Sequence, residues 1–267
     1  MNFSKILGAC AALVIVLAAC TTNPTPADNT FFLKQGDYTV YQATALDTTN
    51  KPTGLAYRVT RTVIRTGLTV GGQSDAALII DTTFAANGTT VSGVDSLYYR
   101  IANNEVFSYF DLNIIRQIVR GIVNVFGGSP DISLRGFVPG WVKIGELNDI
   151  PSTSDFPATT FTTSFDAPLV GSLTLTAKVG GRNQGKTSLT VNGTTYQVHR
   201  QTEKYDITTT IGLSVILPFE MDFGISSQGA PRTILRSQQN SIIIASPLFR
   251  QALPGEQRTI TSFTAGK

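Results

Sequence analysis

The chain has 267 residues, of which 42% are hydrophobic and 15% charged, and this composition is too apolar for a disordered protein. Its 21 basic and 18 acidic residues are scattered, which excludes a concentrated nucleic-acid-binding patch. One histidine, His199, and two cysteines, Cys10 and Cys20, are few candidate ligands for a metal. We therefore expect no metal, no cofactor and no nucleic-acid partner.

The first twenty residues have the pattern of an export signal. Residues 1–5 carry one positive charge, and the apolar run 6–17 is shorter than the ~20 residues of a bilayer-spanning helix. The run ends in Leu17-Ala18-Ala19-Cys20, which resembles the lipobox of bacterial lipoproteins. That resemblance implies a signal peptide over residues 1–19 and a diacylated Cys20. An ordinary secretory signal with a chance cysteine is the alternative, and it too exports the chain.

The resemblance also implies where the protein resides. Cleavage before Cys20 removes Cys10, so no disulfide can form. Several acyl chains on one residue anchor stably, because each buried CH₂ contributes ~0.8 kcal/mol. In Gram-negative lipoproteins a residue such as Thr21 after the cysteine, instead of Asp, implies sorting to the outer membrane. Residues 20–30 then form a lipidated, polar tether, and we expect the anchored protein to face the periplasm.

From residue 31 onward the sequence has the period-two pattern of β-strands. Thr- and Val-rich segments alternate apolar and polar residues between turn signals. These signals are Gly71-Gly72, Asn87-Gly88, Asn103-Asn104, Gly180-Gly181 and Asn192-Gly193. We expect about twelve mainly antiparallel strands in an all-β fold, a large curved sheet that forms a half-barrel or sandwich. Residues 31–267 are predicted to be a single domain; a division at the linker-like stretch 149–155 is the alternative.

Residues 111–128 depart from this pattern. Their apolar residues recur at helical spacing, with Asp111 or Asn113 as the N-cap and Gly127-Gly128 as the end. We expect an amphipathic helix packed on the sheet; a helix on the membrane surface is the alternative. Its apolar face is predicted to line a ligand cavity through Ile114, Ile115, Ile118, Val119, Ile122 and Phe126.

Residues 180–187, GGRNQGKT, match the phosphate-binding pattern G-x-x-x-x-G-K-[ST]. That mechanism needs a helix after the loop, because the helix N-terminus supplies part of the phosphate site. Here a hairpin strand leading to Asn192-Gly193 follows. We therefore predict a solvated turn that binds no nucleotide.

Hydrolytic chemistry has little support in the sequence. Residues 72–76, GQSDA, resemble a degenerate nucleophile elbow, but the only imidazole is His199, which we predict to face solvent from a strand. Asp81, Asp95 and Asp222 are candidate acids, and no pattern pairs them. No catalytic residue is predicted, and we expect the protein not to be an enzyme.

Two arginines interrupt the apolar face of the strand that contains Val59 and Val63. If Arg61 and Arg65 point inward they need carboxylate or ligand partners, because unpaired buried charge is costly. The favoured interpretation is that both lie at an exposed strand end and reach water.

Residues 31–38, FFLKQGDY, resemble the F-P-L-K-x-G-N-x-W opening of uncharacterised envelope lipoproteins, with Phe32 in place of Pro and Asp37 in place of Asn. Residues 221–236 resemble their closing strand pair. The predicted sheet and helix also resemble the half-barrel of lipid-handling lipoproteins. We therefore expect a non-enzymatic lipoprotein that binds an apolar or amphiphilic ligand such as a lipid between sheet and helix. The alternative is a structural or assembly lipoprotein that presents a sheet surface to an envelope protein.

Overall fold

The computed structural model describes residues 32–112, 115–116, 119, 133–167, 171–246 and 249–267. Within these ranges the backbone forms fourteen strands. The first six are β1 (Tyr38–Leu46), β2 (Pro52–Val70), β3 (Gln73–Phe84), β4 (Val91–Ala102), β5 (Glu105–Phe110) and β6 (Gly140–Glu146). The next four are β7 (Thr159–Ala167), β8 (Gly171–Val191), β9 (Thr194–Thr209) and β10 (Ser214–Gly224). A 3₁₀ helix (Ser226–Gln228) precedes β11 (Ile234–Gln239), β12 (Ile242–Ser246), β13 (Phe249–Leu253) and β14 (Gly255–Thr264).

Twelve strands form one antiparallel sheet in the order β6-β5-β4-β3-β2-β1-β14-β11-β10-β9-β8-β7. Strands β12 and β13 pair separately. The N-terminal and C-terminal halves meet where β1 pairs with β14, from Tyr38 opposite Thr264 to Leu46 opposite Gly255. The all-β, antiparallel prediction is confirmed.

Local turn chemistry explains most of the hairpins. Asn103 and Asn104, between β4 and β5, have φ values of 52° and 64°. Asn192 and Gly193, between β8 and β9, have φ values of 50° and 79°. Two successive positive φ angles match the twist of the flanking strands, and Asn and Gly tolerate them best. These two predicted hairpins are confirmed.

The predicted turn at Gly180-Gly181 is wrong, because both glycines lie inside β8. Their role is to let another segment approach the sheet. A Cβ on Gly181 would lie 2.8 Å from Cε2 of Phe156, and one on Gly180 would lie 3.4 Å from Cβ of Ala158. The glycines therefore provide room for residues 147–158, which we call the strap.

The strap runs beside the part of β8 that β7 does not cover. Ser152 N donates to Asn183 O at 2.9 Å, and Phe156 N donates to Gly181 O at 2.8 Å. Lys186 N returns a bond to Asp149 O at 2.9 Å. The segment that looks like a linker in the sequence thus packs against the sheet as an added edge.

The sheet curves until it is nearly closed, and its edge strand β6 contacts β8 and β9. We call the contact of β6 with β8 and β9 the seam. The fully buried side chain of Gln201, on β9, bridges it. Its Oε1 accepts from Glu146 N at 3.0 Å, and its Nε2 donates to Glu146 O at 2.6 Å. One amide side chain therefore takes the place of a backbone ladder between β6 and β9.

The main hydrophobic core lies on the concave face. Period-two alternation in β8 places Leu173, Leu175 and Val179 there, all buried. A second cluster surrounds Tyr41, Val59 and Leu235.

The predicted helix over residues 111–128 stays a prediction, because residues 113–114, 117–118 and 120–132 lie outside the described ranges. Helical backbone is present at Leu112, Ile115, Arg116 and Val119. Ile115 and Val119 are fully buried in the main core. Among the residues that the structure describes, no helix is long and apolar enough to cross a membrane.

Candidate functional site

A cavity of about 570 Å³ lies against the concave face of the sheet. Its walls come from β2, β3 and β4 on one side and from β9, β10, β11 and β14 on the other. The described charged lining residues are Arg61, Asp81, Asp95, Arg116, Glu203, Glu256 and Arg258. Apolar and aromatic lining residues include Leu97, Tyr99, Tyr205, Phe219, Met221 and Ile234. The volume is within the range of small-molecule sites, and the lining is amphiphilic.

The register of β2, β3 and β4 brings three of these charged side chains together. Arg61 of β2 lies directly opposite Asp81 of β3, which lies directly opposite Asp95 of β4. Directly opposed residues of antiparallel strands share one face, so all three line the cavity. Asp81 and Asp95, which no sequence pattern paired, are therefore neighbours.

An ion-pair network fixes Asp81. Arg61 donates from Nε to Oδ1 at 2.8 Å and from Nη2 to Oδ2 at 2.7 Å, and Nη1 of Arg258 reaches Oδ2 at 3.2 Å. Burial by itself raises the pKa of Asp81, but the two arginines outweigh it and hold the pKa below its usual value. The carboxylate is thus ionised at neutral pH, with both oxygens occupied.

The favoured interpretation of Arg61 as an exposed residue is wrong. Its side chain is only 12% exposed, because the long sheet curves around it and supplies Asp81 as its partner. Arg65, four residues further along, is exposed as expected.

Glu203 of β9 contrasts with Asp81. The residue is 4% exposed, and its carboxyl hydrogen-bonds the hydroxyl group of Tyr205. Its Oε1 atom is buried and has no hydrogen-bond partner. Burial raises the pKa of Glu203 to about 8, against a small lowering by Tyr205. At neutral pH this side chain is a neutral carboxylic acid with one unsatisfied oxygen.

Only part of the predicted cavity lining can be located. Ile115 and Val119 lie in the hydrophobic core, and Arg116 between them lines the cavity. Ile114, Ile118, Ile122 and Phe126 lie outside the described residues, as does Cys20.

The other candidate acid, Asp222, lies between two arginines on β9 and β11 and has no exposed surface. Arg200 Nε donates to its Oδ1 at 2.7 Å, and Arg236 Nε donates to its Oδ2 at 2.8 Å. Asp222 is not among the described residues that line the cavity. Its contacts indicate a structural ion pair.

Residues 180–187 do not form the predicted solvated turn. They continue along β8, with a bulge between Asn183 and Lys186 where Gly185 has a φ of 78°. The strand geometry supplies no helix N-terminus for a phosphate. Lys186 Nζ lies 3.7 Å from Asp149 Oδ2 in the strap.

The predicted solvent exposure of His199 is wrong, because the strap covers it. The side chain is 9% exposed, and its Nε2 lies 2.9 Å from Asp149 Oδ1. Burial lowers the pKa of His199, and the contact with Asp149 offsets this only in part. The pair holds the strap against β9.

No group of three or more His, Cys, Asp or Glu side chains within the described ranges could hold a metal ion. Comparisons with protein-family models, curated proteins and solved structures found no match.

Proposed function

We propose that this chain is an extracytoplasmic, non-enzymatic lipoprotein that binds one amphiphilic ligand in the cavity of its curved sheet. Acyl chains on Cys20 would anchor it in the outer membrane, with the folded part facing the periplasm. The lipobox resemblance of Leu17-Ala18-Ala19-Cys20 supports the anchor.

The observation that carries the ligand-binding proposal is the unsatisfied carboxyl of Glu203 beside an open volume. A buried polar atom without a partner costs about 1–3 kcal/mol, whereas a ligand that bonds to it removes that cost. The surrounding apolar side chains of Leu97, Met221 and Ile234 would contact the ligand's hydrocarbon part. The mixture of charge and apolar surface favours an amphiphilic ligand over a wholly apolar one.

Native mass spectrometry of the full chain, released gently from its membrane, tests this proposal. We expect one small molecule per chain in the wild type. Ser237→Trp, which adds an indole to the cavity lining on β11, should abolish the bound mass. Ser214→Trp at the exposed start of β10 is the matched control and should retain it.

Absence of any bound mass in both the wild type and Ser214→Trp would contradict ligand binding. The alternative, a structural lipoprotein that presents a sheet surface to an envelope protein, would then take its place. Retention of the same mass in Ser237→Trp would show that the molecule lies elsewhere on the protein.

A further inference from the structure

The carboxyl group of Glu203 lacks a hydrogen-bond partner at one of its two oxygens among the residues that the structure describes. Glu203 lines the cavity, and its Oε1 atom is buried without a hydrogen-bond partner in the described part of the chain. The ion pairs formed among the described residues bring no arginine or lysine to this carboxyl. The missing partner is therefore a group that a ligand would supply.

The charged side chains that line the cavity, among the described residues, indicate whether the ligand group carries a positive or a negative charge. Arg61, Arg116 and Arg258 are matched in number by Asp81, Asp95 and Glu256. Glu256 also accepts hydrogen bonds from Arg258 and from the hydroxyl group of Tyr57. An ionised Glu203 would add one unbalanced negative charge, which only an incoming cation could compensate at a buried position.

The aromatic side chains around Glu203 suit a cation as well. Phe219 lies directly opposite Glu203 in the β9–β10 register. The rings of Phe219 and Tyr205 meet edge to face, with centroids 4.8 Å apart. Aromatic faces carry negative electrostatic potential and attract ammonium groups within about 6 Å.

We propose that the ligand of this cavity is an aliphatic primary amine, whose ammonium group donates a hydrogen bond to Glu203 Oε1. On binding, the carboxyl proton of Glu203 leaves to solvent, and the resulting carboxylate pairs with the ammonium ion. No covalent bond forms or breaks apart from that proton transfer. This inference deepens the proposed function and rests on it.

Among the described residues, the titratable groups that interact with the Glu203 carboxyl are two tyrosines. Tyr205 lies on the same strand, and Tyr99 faces it from β4. Its neighbours on β8 and β10 are Gly181 and Phe219, which do not titrate. Burial raises the pKa of both tyrosines above 10, so neither ionises between pH 6 and 9.

The test is calorimetric titration of the full chain in lipid nanodiscs with three matched probes: hexylamine, hexanol and hexanoate. We expect hexylamine to bind once per chain and to release about one proton at pH 6.5, measured from the dependence of the binding heat on buffer. The pKa of Glu203 in the ligand-free protein is about 8, so most of this carboxyl is protonated at pH 6.5 and most is ionised at pH 8.5. Hexylamine should therefore bind roughly 20-fold more weakly at pH 6.5 than at pH 8.5. Hexanol should release no proton, and its affinity should not change between pH 6.5 and pH 8.5.

Glu203→Gln keeps the shape of the side chain and removes its charge. It should weaken hexylamine binding at least 10-fold at pH 8.5, abolish proton release and leave hexanol binding unchanged. Glu220→Gln is the matched control, since Glu220 lies on β10 with an exposed side chain near Arg236. It should behave like the wild type in the same nanodiscs.

The outcomes separate this inference from the proposed function. If hexanol or hexanoate binds the wild type as tightly as hexylamine and no proton is released, the amine is wrong while a ligand site remains. If none of the three probes binds, the amine proposal fails, whereas a bound mass in the native mass spectrum would leave the ligand-binding function standing. Proton release by the wild type decides the question even if Glu203→Gln does not fold.

Discussion

Glu203 on β9 and Phe219 on β10 lie directly opposite each other on the concave face, so an aromatic ring adjoins a buried acid. The same face presents the Arg61–Asp81 pair from β2 and β3. One face of the sheet therefore contains the Asp81 carboxylate, whose charge is balanced by arginine, and the Glu203 carboxyl, which pairs with no cation among the described residues. This difference in compensation distinguishes a structural ion pair from a group available to a ligand.

The lipid anchor gives the first prediction. Cys20→Ala should abolish incorporation of labelled fatty acid and leave the leader attached, because the thiol is the only acyl acceptor at the lipobox. Metabolic labelling followed by electrophoresis measures both effects. Labelled fatty acid on the variant would show that the lipobox interpretation is wrong.

The seam gives the second prediction. Gln201→Leu should lower the free energy of unfolding by about 2–4 kcal/mol. The backbone N–H and C=O groups of Glu146 would lose their hydrogen bonds to the buried Gln201 amide. Gln197→Leu on the same strand is the control, since the side-chain amide of Gln197 donates to the exposed hydroxyl group of Ser188. Denaturant unfolding measures both. Equal stability of the two variants would argue that the amide does not hold the seam.

The Arg61–Asp81 pair gives the third prediction. Arg61→Met should destabilise the protein by about 2–4 kcal/mol at pH 7, because among the described residues Asp81 then keeps a single cationic partner, Arg258. Arg65→Met should change stability by less than about 0.5 kcal/mol. Adding Asp81→Leu to Arg61→Met should restore part of the loss, because the buried carboxylate that lost its Arg61 partner is then removed as well.

Acid should reduce the effect of Arg61→Met. The pKa of folded Asp81 lies below 3.8, so its ionised form stabilises the fold above that pH. The contribution is lost as the pH falls through the lower, folded-state pKa. An undiminished difference between wild type and Arg61→Met in strong acid would contradict the assignment to Asp81.

The sequence predicts features that depend on neighbouring residues. Asn103-Asn104 and Asn192-Gly193 identify hairpins because the positive φ angles are a local requirement. The inward direction of Arg61 depends on Asp81, twenty residues away, and only strand register brings the two together. The alternation of Arg61 with Val59 and Val63 was the signal that could have placed it inside.

The sequence around Glu203 and His199 does not indicate that these side chains are buried. Residues 200–206, RQTEKYD, are polar or amphipathic on both faces of β9, so period-two alternation does not indicate the side that is buried. His199 is covered by Asp149, which lies fifty positions earlier in a segment with linker-like composition. In both cases a contact between distant segments determines the burial.

Glu203 gives the fourth prediction, a dependence of stability on pH. Its folded-state pKa of about 8 exceeds the unfolded value of 4.5, so the ligand-free protein loses stability as the pH rises between them. From pH 5 to pH 8, wild type should lose about 3 kcal/mol relative to Glu203→Gln, since one pKa unit corresponds to ~1.4 kcal/mol. Denaturant unfolding across this range measures the difference. A constant difference would place Glu203 in contact with water.

The most direct test of the central claim is the titration of Glu203 itself in the ligand-free full chain. Carbon-13 NMR of labelled glutamate, with the Glu203→Gln spectrum subtracted, follows the carboxyl carbon as the pH changes. The structure predicts a midpoint at about 8, because burial raises the pKa of this carboxyl and no cationic side chain among the described residues pairs with it. A midpoint near 4.5 would show that water or a cation already satisfies the group, and would contradict its assignment as the ligand's partner.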